Sequence, residues 1–288
     1  MILVMAATGM FGRQVVQTLA QQGVPVRATG RSLASLEPLR APGVELMAAD
    51  MDDPASLQML MQGVDRVLVN APMDARKQQR ECHVIEAMVR AGGQAQVVLL
   101  TGGVEHNDAL GDAGRAVEQA MRRSQLPWTT VGPQTVMESN FYPFRDLIVS
   151  DSLLLSCVGD AQMGFVALQD VIAAFAAVLT APVGQHHGRE YVITGPEAVS
   201  FSAVAEAAST ALGRPIHYQD MPRQEFAELL INEAGYDPAR LEIEVMCHLD
   251  AFRAGLASRI TADFHHLTGR APTSVVQWWQ QNAGYFLG

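Results

Sequence analysis

Short apolar runs of β-type residues alternate with longer segments of helical period through the first half of the chain. This is the pattern of a parallel sheet wrapped by helices. Residues 2–5, 25–29, 44–48, 66–70, 97–101 and 128–131 predict six strands. Helices are predicted between them over 11–22, 33–39, 54–61, 76–91 and 113–124. In the first helix Phe11, Val15 and Leu19 recur four apart and make one apolar face. Gly23 and Gly92-Gly93 stand where helices end. Each of the five connections is long enough for a right-handed crossover.

After Pro133 the alternation loosens. Gly159 and Gly164 flank short strands, a buried helix follows over 170–180, and a strand over 190–194. Beyond Ser200 the spacing is mostly helical, over 202–212, 223–234, 238–257 and 273–282, with a strand over 215–218. No Ser/Gly linker divides the halves and no internal repeat is present, so the second part grows out of the first. The fold class expected is α/β, with a doubly wound parallel sheet.

Composition narrows the function classes. A chain of 288 residues, 49% hydrophobic and 17% charged, can bury a core without disulfides or metals. The formal charge of -10 repels a nucleic-acid backbone, and no basic patch overrides it. Cys82, Cys157 and Cys247 are far apart and odd in number, so they form neither a disulfide framework nor a CxxC pair. The N-terminus has no basic region or apolar stretch of signal-peptide length. The run from Val171 to Leu179 is far short of the roughly 20 residues that span a bilayer. A cytoplasmic protein with neither nucleic-acid nor membrane partners is expected.

The first strand runs into Ala6-Ala7-Thr8-Gly9-Met10-Phe11-Gly12, which opens the first helix. A dinucleotide site needs glycine here for a tight turn, for close approach of backbone to pyrophosphate and for close helix-to-strand packing. Gly9 and Gly12 meet the last two needs, while Ala6 stands where the first glycine belongs. The helix N-terminus behind Thr8, Met10 and Phe11 favours an anion. An NAD site usually ends the second strand with an acid that accepts from the ribose hydroxyl. Here Thr29-Gly30-Arg31-Ser32 offers a guanidinium and a hydroxyl instead, which suit a 2′-phosphate, so NADP(H) is favoured over NAD(H); a solvated Arg at a strand end is the alternative. Asp50 and Met51, ending the third strand, fit the flank of an adenine; a helix N-cap region running into Asp52-Asp53-Pro54 explains them as well.

These segments resemble the NmrA-like branch of the atypical short-chain dehydrogenases/reductases. The likeness rests on Ala7-Thr8-Gly9-Met10-Phe11-Gly12, Val26-Arg27-Ala28-Thr29-Gly30-Arg31, Gly43-Val44-Glu45 and Asp50-Met51-Asp52-Asp53. It continues in Gly63-Val64-Asp65-Arg66-Val67, Gln125-Leu126-Pro127-Trp128-Thr129 and Pro133-Gln134-Thr135-Val136-Met137-Glu138, and ends in Leu267-Thr268-Gly269-Arg270-Ala271-Pro272. It implies a Rossmann domain over 1–132, completed by about 160–195, and a smaller, mostly helical substrate-binding part over 133–159 and 196–288. The family includes NADPH-dependent quinone, dye and natural-product reductases, and also redox-sensing regulators that do no chemistry.

The departures bear on mechanism. Short-chain dehydrogenases usually carry Tyr-x-x-x-Lys, whose Lys lowers the pKa of the phenol acid. None of Tyr142, Tyr191, Tyr218, Tyr236 and Tyr285 has Lys four residues later. Gly114 and Glu118 stand where the pair would fall, and Gly132 replaces an Arg often found before the Pro. A quinone or cationic dye is electrophilic enough to take hydride without a strong acid.

Ligands in such sheets bind beyond the carboxyl ends of the strands. Cofactor contacts are therefore expected from Asn70, Ala71, Pro72, Thr101 and Pro133. Catalytic contacts are expected from His106, and from Glu138 and Tyr142 sharing a helix face toward one cleft. Loop position alone explains His106, and a polar helix surface alone explains the other two. No metal is expected, because His186-His187 and His265-His266 are adjacent pairs without the helical spacing of a zinc site. The run Arg76-Lys77-Gln78-Gln79-Arg80 reads as a solvated helix start.

The reading is an NADPH-dependent oxidoreductase acting on a hydrophobic aromatic or quinone-like molecule. Two alternatives stay open: an NADP(H)-binding sensor that reports to a regulatory protein partner, and a cofactor-independent isomerase or lyase. A homodimer is compatible with all three.

Overall fold

The computed structural model describes residues 1–287. Strands β1 (Ile2–Val4), β2 (Val26–Gly30), β3 (Val44–Ala48), β4 (Arg66–Val69), β5 (Gln96–Leu100) and β6 (Trp128–Pro133) alternate with helices. These are α1 (Met10–Gln21), α2 (Leu33–Leu36), α3 (Pro54–Gln58), α4 (Lys77–Arg90) and α5 (Ala109–Arg123). Next come β7 (Thr135–Val136), α6 (Met137–Phe141), α7 (Arg145–Asp151), β8 (Leu153–Ser156), β9 (Phe165–Val166), α8 (Leu168–Thr180) and β10 (Arg189–Ile193). The chain closes with α9 (Phe201–Leu212), β11 (His217–Asp220), α10 (Arg223–Asn232), α11 (Pro238–Leu241), α12 (Cys247–Arg253), α13 (Asp263–Thr268) and α14 (Val275–Asn282).

One sheet of seven strands runs β10-β6-β5-β4-β1-β2-β3. The pairs β1·β2, β1·β4, β2·β3, β4·β5 and β5·β6 are all parallel. Such strands are covered on both faces and so read as unbroken apolar runs, as in the fully buried Ile2-Leu3-Val4. The six strands expected in the first half are joined by β10, expected over 190–194, as the seventh, with Gly188 N–H donating to the Trp128 carbonyl and Gln134 N–H to that of Ile193. The strand order reverses across β1 and β4, where ligands of open α/β sheets bind at the carboxyl ends.

The chain divides into two compact units, each drawn from three segments. The first comprises Met1–Gly102, Asn107–Gly132 and Ile172–Tyr191; the second Gly103–His106, Pro133–Val171 and Val192–Gly288. In the first, Leu3, Val67, Val97, Leu57, Val84 and Val117 share one core. The second is built on aromatic rings. Phe141 stacks on Trp279 with centroids 5.5 Å apart and meets Trp278 and Phe165 at 5.3 and 5.2 Å.

Three expectations need correction. The helix expected over 238–257 is broken into α11, a wide π turn over Glu242–Met246, and α12, which ends before Gly255 at φ +79°. The segment after Pro133, expected to carry one helix face through Glu138 and Tyr142, carries two short helices instead, α6 and α7. The basic run at the start of α4 is an ion network rather than a solvated face. Arg80, 15% exposed at its side chain, bonds Asp52 at 2.9 Å and Asp74 at 2.7 Å, while Lys77 pairs with the buried Glu81. The hydrogen bond from Arg80 holds the Asp52 carboxyl below its usual range. No helix among the described residues is long and apolar enough to cross a membrane.

Candidate functional site

The loop between β1 and α1 is drawn tight by its own backbone. Ala7 N–H donates to the Thr29 carbonyl at 2.8 Å, and Gly9 N–H to the Ala6 carbonyl at 3.0 Å. Ala6 has φ +45°, the left-handed conformation that explains why glycine normally holds this position. A Cβ on Gly12 would lie 2.6 Å from the Ala6 oxygen and 2.8 Å from the Ala7 Cα, so α1 sits against the loop at a distance only glycine permits. Gly9, Met10 and Phe11 form the start of a twelve-residue helix whose first N–H groups and dipole favour an anion. Arg13, not singled out by the sequence reading, reaches back so that its guanidinium donates to the Thr8 carbonyl at 3.5 Å. Its place one turn into α1, behind a glycine loop, was the available signal.

Arg31 follows β2 and is exposed. Ser32 has a competing duty: its Oγ caps α2 by accepting from Ser35 N–H at 3.3 Å. Asp50 follows β3 and accepts from Asp52 N–H at 2.9 Å. Met51, expected beside an adenine, is packed in the core of the first unit instead. Asp53 caps α3, as an N-cap region would. Asn70 and Ala71 are buried just beyond β4, with Pro72 exposed after them. Thr101 follows β5, its N–H donating to the Val131 carbonyl at 3.2 Å, and Pro133 is the buried last residue of β6. The expected cofactor residues thus follow or end the carboxyl ends of β1 to β6.

Gly132 has a packing reason. A Cβ there would stand 2.8 Å from both the Gly102 oxygen and the Thr101 hydroxyl. At the position of the missing Tyr–Lys pair, Gly114 faces open space and Glu118 pairs with Arg122 at 3.4 Å. No phenol or amine is supplied there.

Glu138 and Tyr142 do not share the expected helix face, because α6 stops at Phe141 and a tighter turn containing Pro143 follows. Glu138 ties three elements together. One carboxylate oxygen accepts from Leu168 N–H and the other from Trp278 Nε1–H, each at 2.8 Å. Tyr142 donates its hydroxyl to Asn282 Oδ1 at 2.9 Å and packs on Trp278 and Tyr285. Both side chains have structural work in the second unit, and neither is carried forward as a substrate contact.

His106 is buried, 7% exposed, in the short segment Gly103–His106. Its Nε2 lies 3.0 Å from Nδ1 of His248, with the rings edge to face. Cys247 is beside them, the ligand-capable atoms of all three lying within 4.8 Å of one another. Sequence reading missed Cys247 and His248, since a Cys-His dipeptide has no ligand spacing and its partner is 142 residues away.

The profile of the NmrA-like family matches residues 1–254. A (4-alkanoyl-5-oxo-2,5-dihydrofuran-3-yl)methyl phosphate reductase of Streptomyces griseus is 33% identical over 99% of both chains. An NAD(P)H azoreductase of Xenophilus azovorans is 31% identical over 76% of each. Among solved structures, the triphenylmethane reductase of Citrobacter sp., complexed with NADP(H), superposes with a TM-score of 0.86 at 24% identity, covering 98% of this chain and 99% of that one.

Proposed function

Because this chain belongs to the NmrA-like family, we propose that it is an NADPH-dependent oxidoreductase reducing a hydrophobic, electron-poor aromatic or quinone-like molecule. The observation that carries this reading is the glycine-built loop at β1, coupled with Arg31 in place of an acid after β2. With no Cβ at Gly12, α1 packs directly on the loop, and the first N–H groups of α1 suit a pyrophosphate. Arg13 lies at that loop and Arg31 past β2, where a guanidinium matches a 2′-phosphate bidentately.

Bound there, NADPH supplies the hydride. The protein's part is to hold the two reactants in register and keep water away. With Gly114 and Glu118 at the Tyr–Lys positions, protonation by a tuned phenol is not available, so the substrate must be electrophilic in its own right. The azoreductase and the triphenylmethane reductase, named for azo and triphenylmethane compounds, support a substrate of that kind.

Calorimetric titration with NADPH, NADH and NADP⁺ tests the cofactor reading. NADPH should bind in the micromolar range, about 8 kcal/mol, and Arg31→Ala should weaken NADPH at least tenfold while leaving NADH unchanged. Equal loss for both cofactors would show that Arg31 does not read the 2′-phosphate. The missing acid also favours a second reading, a sensor that binds NADPH without turning it over. NADPH oxidation assayed against quinones, azo dyes and triarylmethane dyes separates the two. Tight binding with no turnover on any of them selects the sensor.

A further inference from the structure

We propose that His106, Cys247 and His248 form a binding site for one zinc-class divalent ion in the second unit. This inference is independent of the nicotinamide reading, since all three residues belong to the second unit and none to the phosphate loop. Two imidazoles and a thiol are the borderline-soft donor set that selects zinc and its neighbours over magnesium or calcium.

The spacing is near what such an ion needs. Bond lengths of about 2.05 Å to nitrogen and 2.3 Å to sulfur place tetrahedral ligands about 3.3 Å (N to N) and 3.6 Å (N to S) apart. The two facing imidazole nitrogens are 3.0 Å apart, and the widest separation in the group is 4.8 Å. An ion therefore replaces the proton shared between the rings, and the widest pair closes by about 1 Å. The Cys247 thiol, which donates to the Ile243 carbonyl at 3.4 Å, turns from donor to thiolate ligand.

A second observation is independent of the donor chemistry. The π turn over Glu242–Met246 ends at Cys247, whose N–H bonds the Glu242 carbonyl five residues back. Each extra residue in a helix rotates the next turn by about 100°, so this turn sets the face on which Cys247 and His248 sit. Such turns carry a cost and concentrate at functional sites. Three protein ligands leave a fourth position for water or a ligand oxygen, the arrangement of reactive rather than closed structural zinc sites.

Chelator-treated protein titrated with Zn²⁺ against a competing indicator should bind one equivalent. Co²⁺ in its place should give the intense visible bands of a four-coordinate ion together with a thiolate-to-cobalt charge-transfer band. His106→Ala, Cys247→Ser and His248→Gln should each weaken Zn²⁺ by more than the roughly 10–100-fold that loss of a ligand's hydrogen-bond partner costs. Cys247→Ser should also abolish the charge-transfer band. His217→Ala, an exposed imidazole on β11, should change neither. Circular dichroism on each variant separates ligand loss from misfolding, and the conservative Ser and Gln variants keep the test valid if Ala at 106 unfolds. Absence of saturable binding, equal binding by all variants, or a cobalt spectrum without the sulfur band would each overturn the site. The trio would then be a hydrogen-bonded imidazole pair beside a thiol.

Discussion

At the scale of single residues, Ala6 holds a backbone conformation that costs an L-residue about 1–2 kcal/mol, and nothing but the loop geometry demands it. Ala6→Gly should raise stability by about 1 kcal/mol, read as a rise of a few degrees in Tm. Gly12→Ala should do the reverse. Its methyl has no space beside the Ala6 carbonyl, so overpacking should cost about 1–3 kcal/mol and weaken NADPH at least tenfold in the same calorimeter. Asp170 is a third case. It is 4% exposed and accepts from Thr273 N–H, and burial raises its pKa. Its folded pKa lies above the unfolded one, so its contribution is complete in acid and is lost as pH rises through the folded pKa. Asp170→Asn keeps an acceptor without the charge. The variant should therefore gain on the parent as pH climbs through that range, and then hold a constant lead in denaturant titrations at neutral pH.

Among elements, the clearest link is Glu138, which joins α6 to the start of α8 and to α14 through two charge-assisted bonds. Glu138→Ala should cost about 2–4 kcal/mol by stranding both donors. Activity per folded molecule should stay near the parent's, which a unique catalytic acid would not allow. Assaying turnover and the folded fraction together settles it. This link also shows what was legible. The strand-turn-helix of β1 and α1, the alternation through β6 and the buried α8 were readable because burial on both faces leaves unbroken apolar runs and helices leave period and caps. Glu138 was visible as a residue but not as a tie, because its partners lie 30 and 140 positions away and hydrogen bonds of that span leave no local trace. The π turn was equally silent: Glu242 to Met246 has ordinary helical composition, and tertiary packing decides its width.

For the molecule as a whole, the interleaving of segments matters more than any boundary. The first unit takes Ile172–Tyr191 from far along the chain, which brings in most of α8 and the start of the strand that covers β6. A fragment of residues 1–132 should therefore expose the β6 edge and aggregate, measured by light scattering against the intact chain. The second unit owns the aromatic cluster, and with it two of the chain's three tryptophans, Trp278 and Trp279, both fully buried, while Trp128 lies in the first unit under the Arg122 guanidinium. Intrinsic fluorescence is thus an optical probe divided unequally between the units. In Trp128→Phe the whole tryptophan emission, blue-shifted by its dry surroundings, comes from the second unit. Its red shift in denaturant then records that unit's melting by itself, against far-ultraviolet dichroism that sums over both.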